Sequence, residues 1–165
     1  MSSTLHSGAE PNGRPREVCV TFCLIRCGAD GVPLEPVASV PEALPALYAD
    51  NAQLYRRIGF APPWVSYVAV DAGQAVGGGA FVGAPRDNKV EIAYFTLPQF
   101  QGQSYATRTA TQLLAIARAA VPGIVLVAFT LPESNPSTTI LQRLGFTIFG
   151  TAGDADAGEV WEWRT

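Results

Sequence analysis

The sequence predicts one α/β domain, with a mixed and mostly antiparallel sheet, a central parallel strand pair and helices on both faces. Three observations lead there. Residues 90–97, 104–120 and 124–131 read as strand, helix, strand, the pattern of a right-handed βαβ crossover, so the two strands are expected to be parallel. Short strands joined by turns lie on either side of that unit, which suits antiparallel neighbours. The chain has 165 residues, 48% of them apolar and 15% charged, enough to bury one core and too apolar for global disorder.

Each element has a local reason. From Glu17 to Arg26, Val18, Val20, Phe22 and Leu24 alternate with Cys19, Thr21, Cys23 and Ile25, which is strand periodicity. Residues 28–31 read as a turn. Residues 41–58 carry Leu44, Leu47, Tyr48 and Leu54 on roughly one helical stripe, and Gly59 can stop the helix. Pro62 and Pro63 mark a loop. Strands are expected over 65–70, over the glycine-rich 75–82, and over 90–97 up to Pro98. Ala106, Ala110, Leu113, Leu114, Ala117 and Ala120 repeat at helical spacing, and Pro122-Gly123 breaks the pattern. Ile124 to Leu131 is a strand apolar on both faces. Ser134 or Asn135 caps a short helix, Pro136 suits its first turn, and Gly145 ends it. Strands over 146–150 and 159–164 flank an acidic turn at 154–158. Residues 1–15 read as a disordered tail and 16–165 as the domain.

Composition excludes several functions. The net charge is −3, Lys89 is the single lysine and the ten arginines are scattered, so no nucleic-acid partner is expected. No apolar run approaches the roughly 20 residues that span a bilayer, so no membrane partner is expected. The N-terminal stretch lacks the apolar core of a signal peptide, which makes the cytoplasm the default location. Cys19, Cys23 and Cys27 share one strand face and read as packed thiols. The only histidine, His6, lies in the tail, so no metal site is expected.

The segment after residue 90 carries the chemistry. A strand runs into Pro98, then a polar loop with Gly102, then the start of a helix at Ser104. The first N–H groups of a helix lack intrahelical partners, and the helix dipole leaves partial positive charge there. Such a terminus holds phosphate, and Gly102 lets a diphosphate approach the backbone. Gln99, Gly102 and Ser104 resemble motif A of the GNAT superfamily of N-acetyltransferases, Gln/Arg-x-x-Gly-x-Gly/Ala, with Ser104 in place of the usual Gly or Ala. Glu91-Ile-Ala-Tyr94 and Tyr105-Ala-Thr107 are similar to its RimJ/RimL-like branch. Downstream, Phe129-Thr-Leu-Pro-Glu-Ser-Asn-Pro-Ser137 and Leu141-Gln-Arg-Leu-Gly145-Phe146 resemble that branch's motif B, with Asn135 one place beyond the usual Asn.

The resemblance implies an acyl-CoA N-acyltransferase fold in which the parallel strands splay apart and acetyl-CoA enters between them as cosubstrate. The pantetheine arm would pair with the backbone of Tyr94, Phe95 and Thr96 like an added strand. The diphosphate would sit on N–H groups of Gln101, Gly102, Gln103, Ser104, Tyr105, Ala106 and Thr107, and Asn135 would hold a pantetheine amide. The acceptor would be a primary amine, on a small molecule or a protein N-terminus, acetylated by direct attack in a ternary complex. Similar proteins are often homodimers.

Glu91 is the candidate general base. An aliphatic ammonium titrates near 10, so attack on a thioester needs a proton acceptor nearby. The competing reading is a cross-strand ion pair with Lys89 or an arginine. Tyr94 alternates onto the face opposite Glu91 and reads as core. Tyr105 reads either as a cofactor contact or as a staple for its helix. The place of the general-acid tyrosine found in some relatives falls near Leu141, which cannot donate a proton. Arg108 faces either a phosphate or solvent, and Arg56, Arg57 and Trp64 flank the acceptor side. Three rival motifs fail. Gly102-Gln-Ser104-Tyr-Ala106 mimics a hydrolase elbow but has no histidine after it. Gly77-Gly78-Gly79 is followed by no helix, and Lys89 follows Asn88 rather than a Walker A glycine. The alternative function is a non-catalytic acyl-CoA-binding or structural module.

Overall fold

A computed structural model describes residues 21–165 as a single seven-stranded sheet. The strands are β1 (Cys23–Arg26), β2 (Ser66–Asp71), β3 (Gln74–Phe81), β4 (Lys89–Thr96), β5 (Val125–Thr130), β6 (Thr147–Asp154) and β7 (Gly158–Arg164). Their spatial order is β1-β2-β3-β4-β5-β7-β6. Every neighbouring pair is antiparallel except β4–β5, which is parallel. The helices are α1 (Leu44–Ile58), α2 (Tyr105–Ala120) and α3 (Pro136–Arg143), and Pro98–Phe100 forms one 3-10 turn. This is the mixed sheet with a central parallel pair that the residue pattern predicts. The tail, Cys19 and the strand before residue 21 lie outside the described residues.

The differences from expectation are local. Helix α1 starts three residues late, because Pro41 and Glu42 precede its first hydrogen-bonded turn and Pro45 sits inside that turn, where a missing N–H costs nothing. Tyr55 rather than Leu54 is its buried anchor; its hydroxyl accepts the Ser66 N–H at 2.7 Å. Strand β6 runs to Asp154, past Gly150, because β7 offers it a partner along that whole length. The reading of all three cysteines as packed thiols is corrected: Cys23 is disulfide-bonded, while Cys27 is a free, buried thiol.

One cluster ties the halves together. Leu113, Leu114 and Ala117 of α2 pack with Val90 and Ile92 of β4, Leu126 of β5, Leu141 of α3 and Trp163 of β7. The Trp163 indole N–H donates to Thr130 Oγ1 at 2.9 Å, which satisfies the one polar atom that ring buries. Helices α1 and α2 lie on opposite faces. At Gly79, a Cβ would meet Leu113 and Thr109 of α2; at Gly78 it would meet the Phe95 ring, beside Leu44 and Tyr48 of α1.

Candidate active site

Strands β4 and β5 pair over three residues only. The ladder runs Lys89↔Val125, Val90↔Leu126, Glu91↔Val127 and then stops. Beyond it β5 continues to pair with β7 through Thr130, and β4 with β3 through Thr96, so each strand follows its outer neighbour and the two part company. The result is a wedge whose inner edge on β4 has backbone groups without a sheet partner. Phe95 and Phe129, one from each strand, are both partly exposed along it.

Two helices begin at the mouth of this wedge, α2 after β4 and α3 after β5. This is the carboxyl end of a parallel pair, where ligands bind in open α/β sheets. A groove of about 730 Å³ lies there, lined by Tyr94–Thr96, Phe100–Gly102, Ser104–Thr107 and the first two turns of α3 from Asn135. A smaller cavity of about 140 Å³ sits further into the wedge and includes Glu91, Tyr94, Phe129 and Leu141.

The start of α2 is open. Ser104, at its N-terminal boundary, has φ 64° and ψ 14°, a left-handed conformation, and its side chain caps nothing. Gly102 has φ 77°, which is why glycine suits that turn. The first N–H groups of α2 are therefore available to an anion. The start of α3 is closed: Asn135 Oδ1 accepts the Thr138 N–H at 3.0 Å, and Thr138 Oγ1 accepts the Asn135 N–H at 3.0 Å. Asn135 lines the groove with its side-chain oxygen committed to its own helix, while Ser134 is exposed and outside the groove lining.

Glu91 is half-buried on β4 at the edge of the inner cavity. Burial first, and then the Asp154 carboxylate, push its carboxyl above the ordinary carboxylate range. Among the described residues the ion pairs are Arg108–Asp71 and Arg164–Glu162, so the cross-strand pair considered for Glu91 is not made. Tyr94 packs against the core; its hydroxyl is buried without a hydrogen-bond partner among the described residues, and burial pushes it up to about 12.

The remaining candidate residues separate clearly. The Tyr105 hydroxyl donates to Asp71 Oδ2 at 2.8 Å, and its ring stacks on Phe22, so this tyrosine fastens α2 to the β2–β3 turn. Arg108 lies over the Phe22 ring and 3.9 Å from Asp71. Arg56 and Arg57 end α1 in solvent, Trp64 packs edge-on against Phe81, and none of the three lines these cavities. Gln103 is exposed in the loop before α2 but outside the groove lining, whereas Gln101 is part of it. Arg143 also lines the groove, although no sequence motif marks it. Its spacing from Pro136, Thr139 and Ile140, which also line it, is one helical stripe, and that is the signal the sequence offers.

Family comparison agrees with this geometry. Residues 37–147 match the acetyltransferase (GNAT) domain, and the chain belongs to that family. Among solved structures of similar fold is RimL, the ribosomal L7/L12 α-N-protein acetyltransferase, in complex with coenzyme A, at 18% identity and TM-score 0.63, covering 91% of this chain and 96% of that one. Mycobacterium smegmatis RimJ with a CoA disulfide aligns at 19% identity and TM-score 0.60, over 74% of this chain and 60% of that one. The yncA protein of Salmonella typhimurium, solved with its cofactor acetyl-CoA, aligns at 19% identity and TM-score 0.54, over 73% and 69%. At these identities the likeness is one of fold. No curated protein matches the sequence. No helix among the described residues is long and apolar enough to cross a membrane.

Proposed function

We propose that this chain transfers the acetyl group of acetyl-CoA to a primary amine, on a small molecule or a protein N-terminus, in the manner of the RimJ/RimL-like acetyltransferases. One observation carries the reading: the β4–β5 ladder stops at Glu91, and an uncapped helix N-terminus stands at the mouth of the resulting wedge. A thioester on a pantetheine arm needs both. The unpaired backbone of Tyr94–Thr96 can hydrogen-bond the arm's amides as an added strand would. The N–H groups around Gln101–Thr107 can take the diphosphate, with Gly102 giving access and Arg143 available for a further anionic group. Asn135 keeps its amide nitrogen for the arm while its oxygen holds α3.

The amine attacks the thioester carbonyl, a tetrahedral intermediate forms, and the C–S bond breaks as the CoA thiolate leaves. Glu91, directly or through one water, takes the proton that the attacking nitrogen sheds. Its raised pKa makes it a stronger base than an exposed carboxylate. Leu141, buried in the core, cannot protonate the leaving sulfur, so water does; a thiol near pKa 8.5 leaves tolerably as thiolate. An acyl-enzyme route has little to use among the described residues. Burial and Asp30 push the free thiol of Cys27 up to about 12, which keeps it protonated at neutral pH.

Calorimetric titration with acetyl-CoA, followed by release of free CoA on addition of an amine panel, tests the proposal. Binding with turnover is expected. Binding without turnover on any amine favours the non-catalytic reading, and no binding of acetyl-CoA or CoA removes both.

A further inference from the structure

A third cavity, of about 150 Å³, lies between α1 and the sheet, bordered by Leu44, Leu47, Tyr48 and Asn51 on the helix side. Its floor is the run Gly77–Gly79, the motif that no nucleotide-binding reading absorbs. At Gly78 a Cβ would lie 2.9 Å from the Tyr67 carbonyl oxygen and 3.0 Å from the Phe95 ring, so any side chain there has to displace one of them. Glycine keeps this floor low.

Strand β4 forms the far wall. Ala93 and Tyr94 border both this cavity and the inner end of the wedge, and Tyr94 and Phe95 border both this cavity and the cofactor groove. Glu91 alternates onto the same face as Ala93 and Phe95. An amine that reaches Glu91 from this side therefore lays its remaining atoms along β4 toward α1.

The lining has a definite chemistry. Among the described residues, none that borders the cavity is charged. A second ammonium group entering it would lose its hydration with no carboxylate in return. A cavity near 150 Å³ accommodates a group the size of benzene.

We propose that this cavity is the acceptor subsite, and that it takes a compact, uncharged, largely apolar group. The acceptor is then a monoamine with a neutral, largely apolar side group, and polyamines are poor substrates. This rests on the acetyl-transfer reading above.

Phenethylamine and spermidine serve as probes, with acetyl-CoA as donor and free CoA as the readout. Spermidine is expected at least tenfold below phenethylamine in kcat/KM. Leu47→Trp, which fills the cavity from α1, raises KM for phenethylamine and leaves acetyl-CoA affinity in place. The proposal falls if spermidine equals or exceeds phenethylamine, if Leu47→Trp leaves the phenethylamine KM unchanged, or if acetyl-CoA binds and neither amine is acetylated. Failure to bind acetyl-CoA at all instead removes the acetyl-transfer reading, and this subsite with it.

Discussion

The two helices that open onto the groove begin in opposite ways. Helix α3 is closed by its own residues, Asn135 and Thr138 each satisfying the other's backbone N–H. Helix α2 has no such device, and its boundary residue, Ser104, adopts a left-handed conformation in which its side chain caps nothing. An uncapped helix start forgoes stabilisation of roughly 1 kcal/mol. The difference separates a terminus closed by its own residues from one left open, which the proposal assigns to a ligand. Where the chain satisfies its own donors, an anion finds nothing to bind; where it leaves them open beside a glycine turn, the proposed diphosphate would complete the helix.

The comparison can be pressed at both termini and at Glu91, the proposed base beside them. The largest effect is expected from Glu91→Gln, which should lower kcat by about 10²–10⁴ while leaving acetyl-CoA affinity in place. Steady-state kinetics with calorimetry separates the two. In the native chain, the acidic limb of the kcat/KM profile should fall above the ordinary carboxylate range, and it should vanish in the variant. The sign for stability follows from the same shift. A carboxyl whose folded pKa is raised disfavours the folded state once it ionises, so that cost is absent below the unfolded pKa and grows as pH rises. Glu91→Gln should therefore melt higher than the native chain at neutral pH, with the gain disappearing in acid. A thermal melt series against pH reads this directly.

Next in size, Ser104→Asp places a carboxylate at the open start of α2. It should weaken CoA binding at least tenfold, an effect of about 1.4 kcal/mol or more, because the diphosphate meets a like charge in place of free N–H groups. Equal affinity in calorimetry would remove α2 from the binding site. At the closed terminus, Asn135→Ala should cost about 1 kcal/mol of stability by denaturant titration and weaken CoA binding less than Ser104→Asp does. A reversal of that order would mean that α3, not α2, holds the anion. The smallest effect belongs to Ser104→Gly. It relieves a left-handed serine at some cost in chain entropy, for a net gain of about 0.5–1 kcal/mol in stability. A loss of stability would show that the serine hydroxyl contributes a bond of its own.

How much of the site is legible in the sequence depends on distance along the chain. Helix α2 is legible because its apolar residues recur at fixed local spacing, and the loop before it because Gly102 and Pro98 mark their own conformations. Glu91 stands out by lying on the strand that leads into that loop. The use of Tyr105 is not decided by sequence, since its partner Asp71 lies 34 residues away and either role suits a tyrosine at a helix start. Arg143 escapes notice in the sequence because a lone arginine near a helix C-terminus is ordinarily explained by the dipole.

The sequence alone determined the βαβ core, its family motifs and the glycine turn before α2, because each rests on periodicity or backbone preference within a few residues. Tertiary structure decided where the β4–β5 ladder ends, that β7 rather than β6 pairs with β5, and that the glycine floor of β3 meets α1 around a cavity. Those are choices of partner between distant segments. Strand pairing is settled by which surfaces bury most together, and no local pattern records that competition.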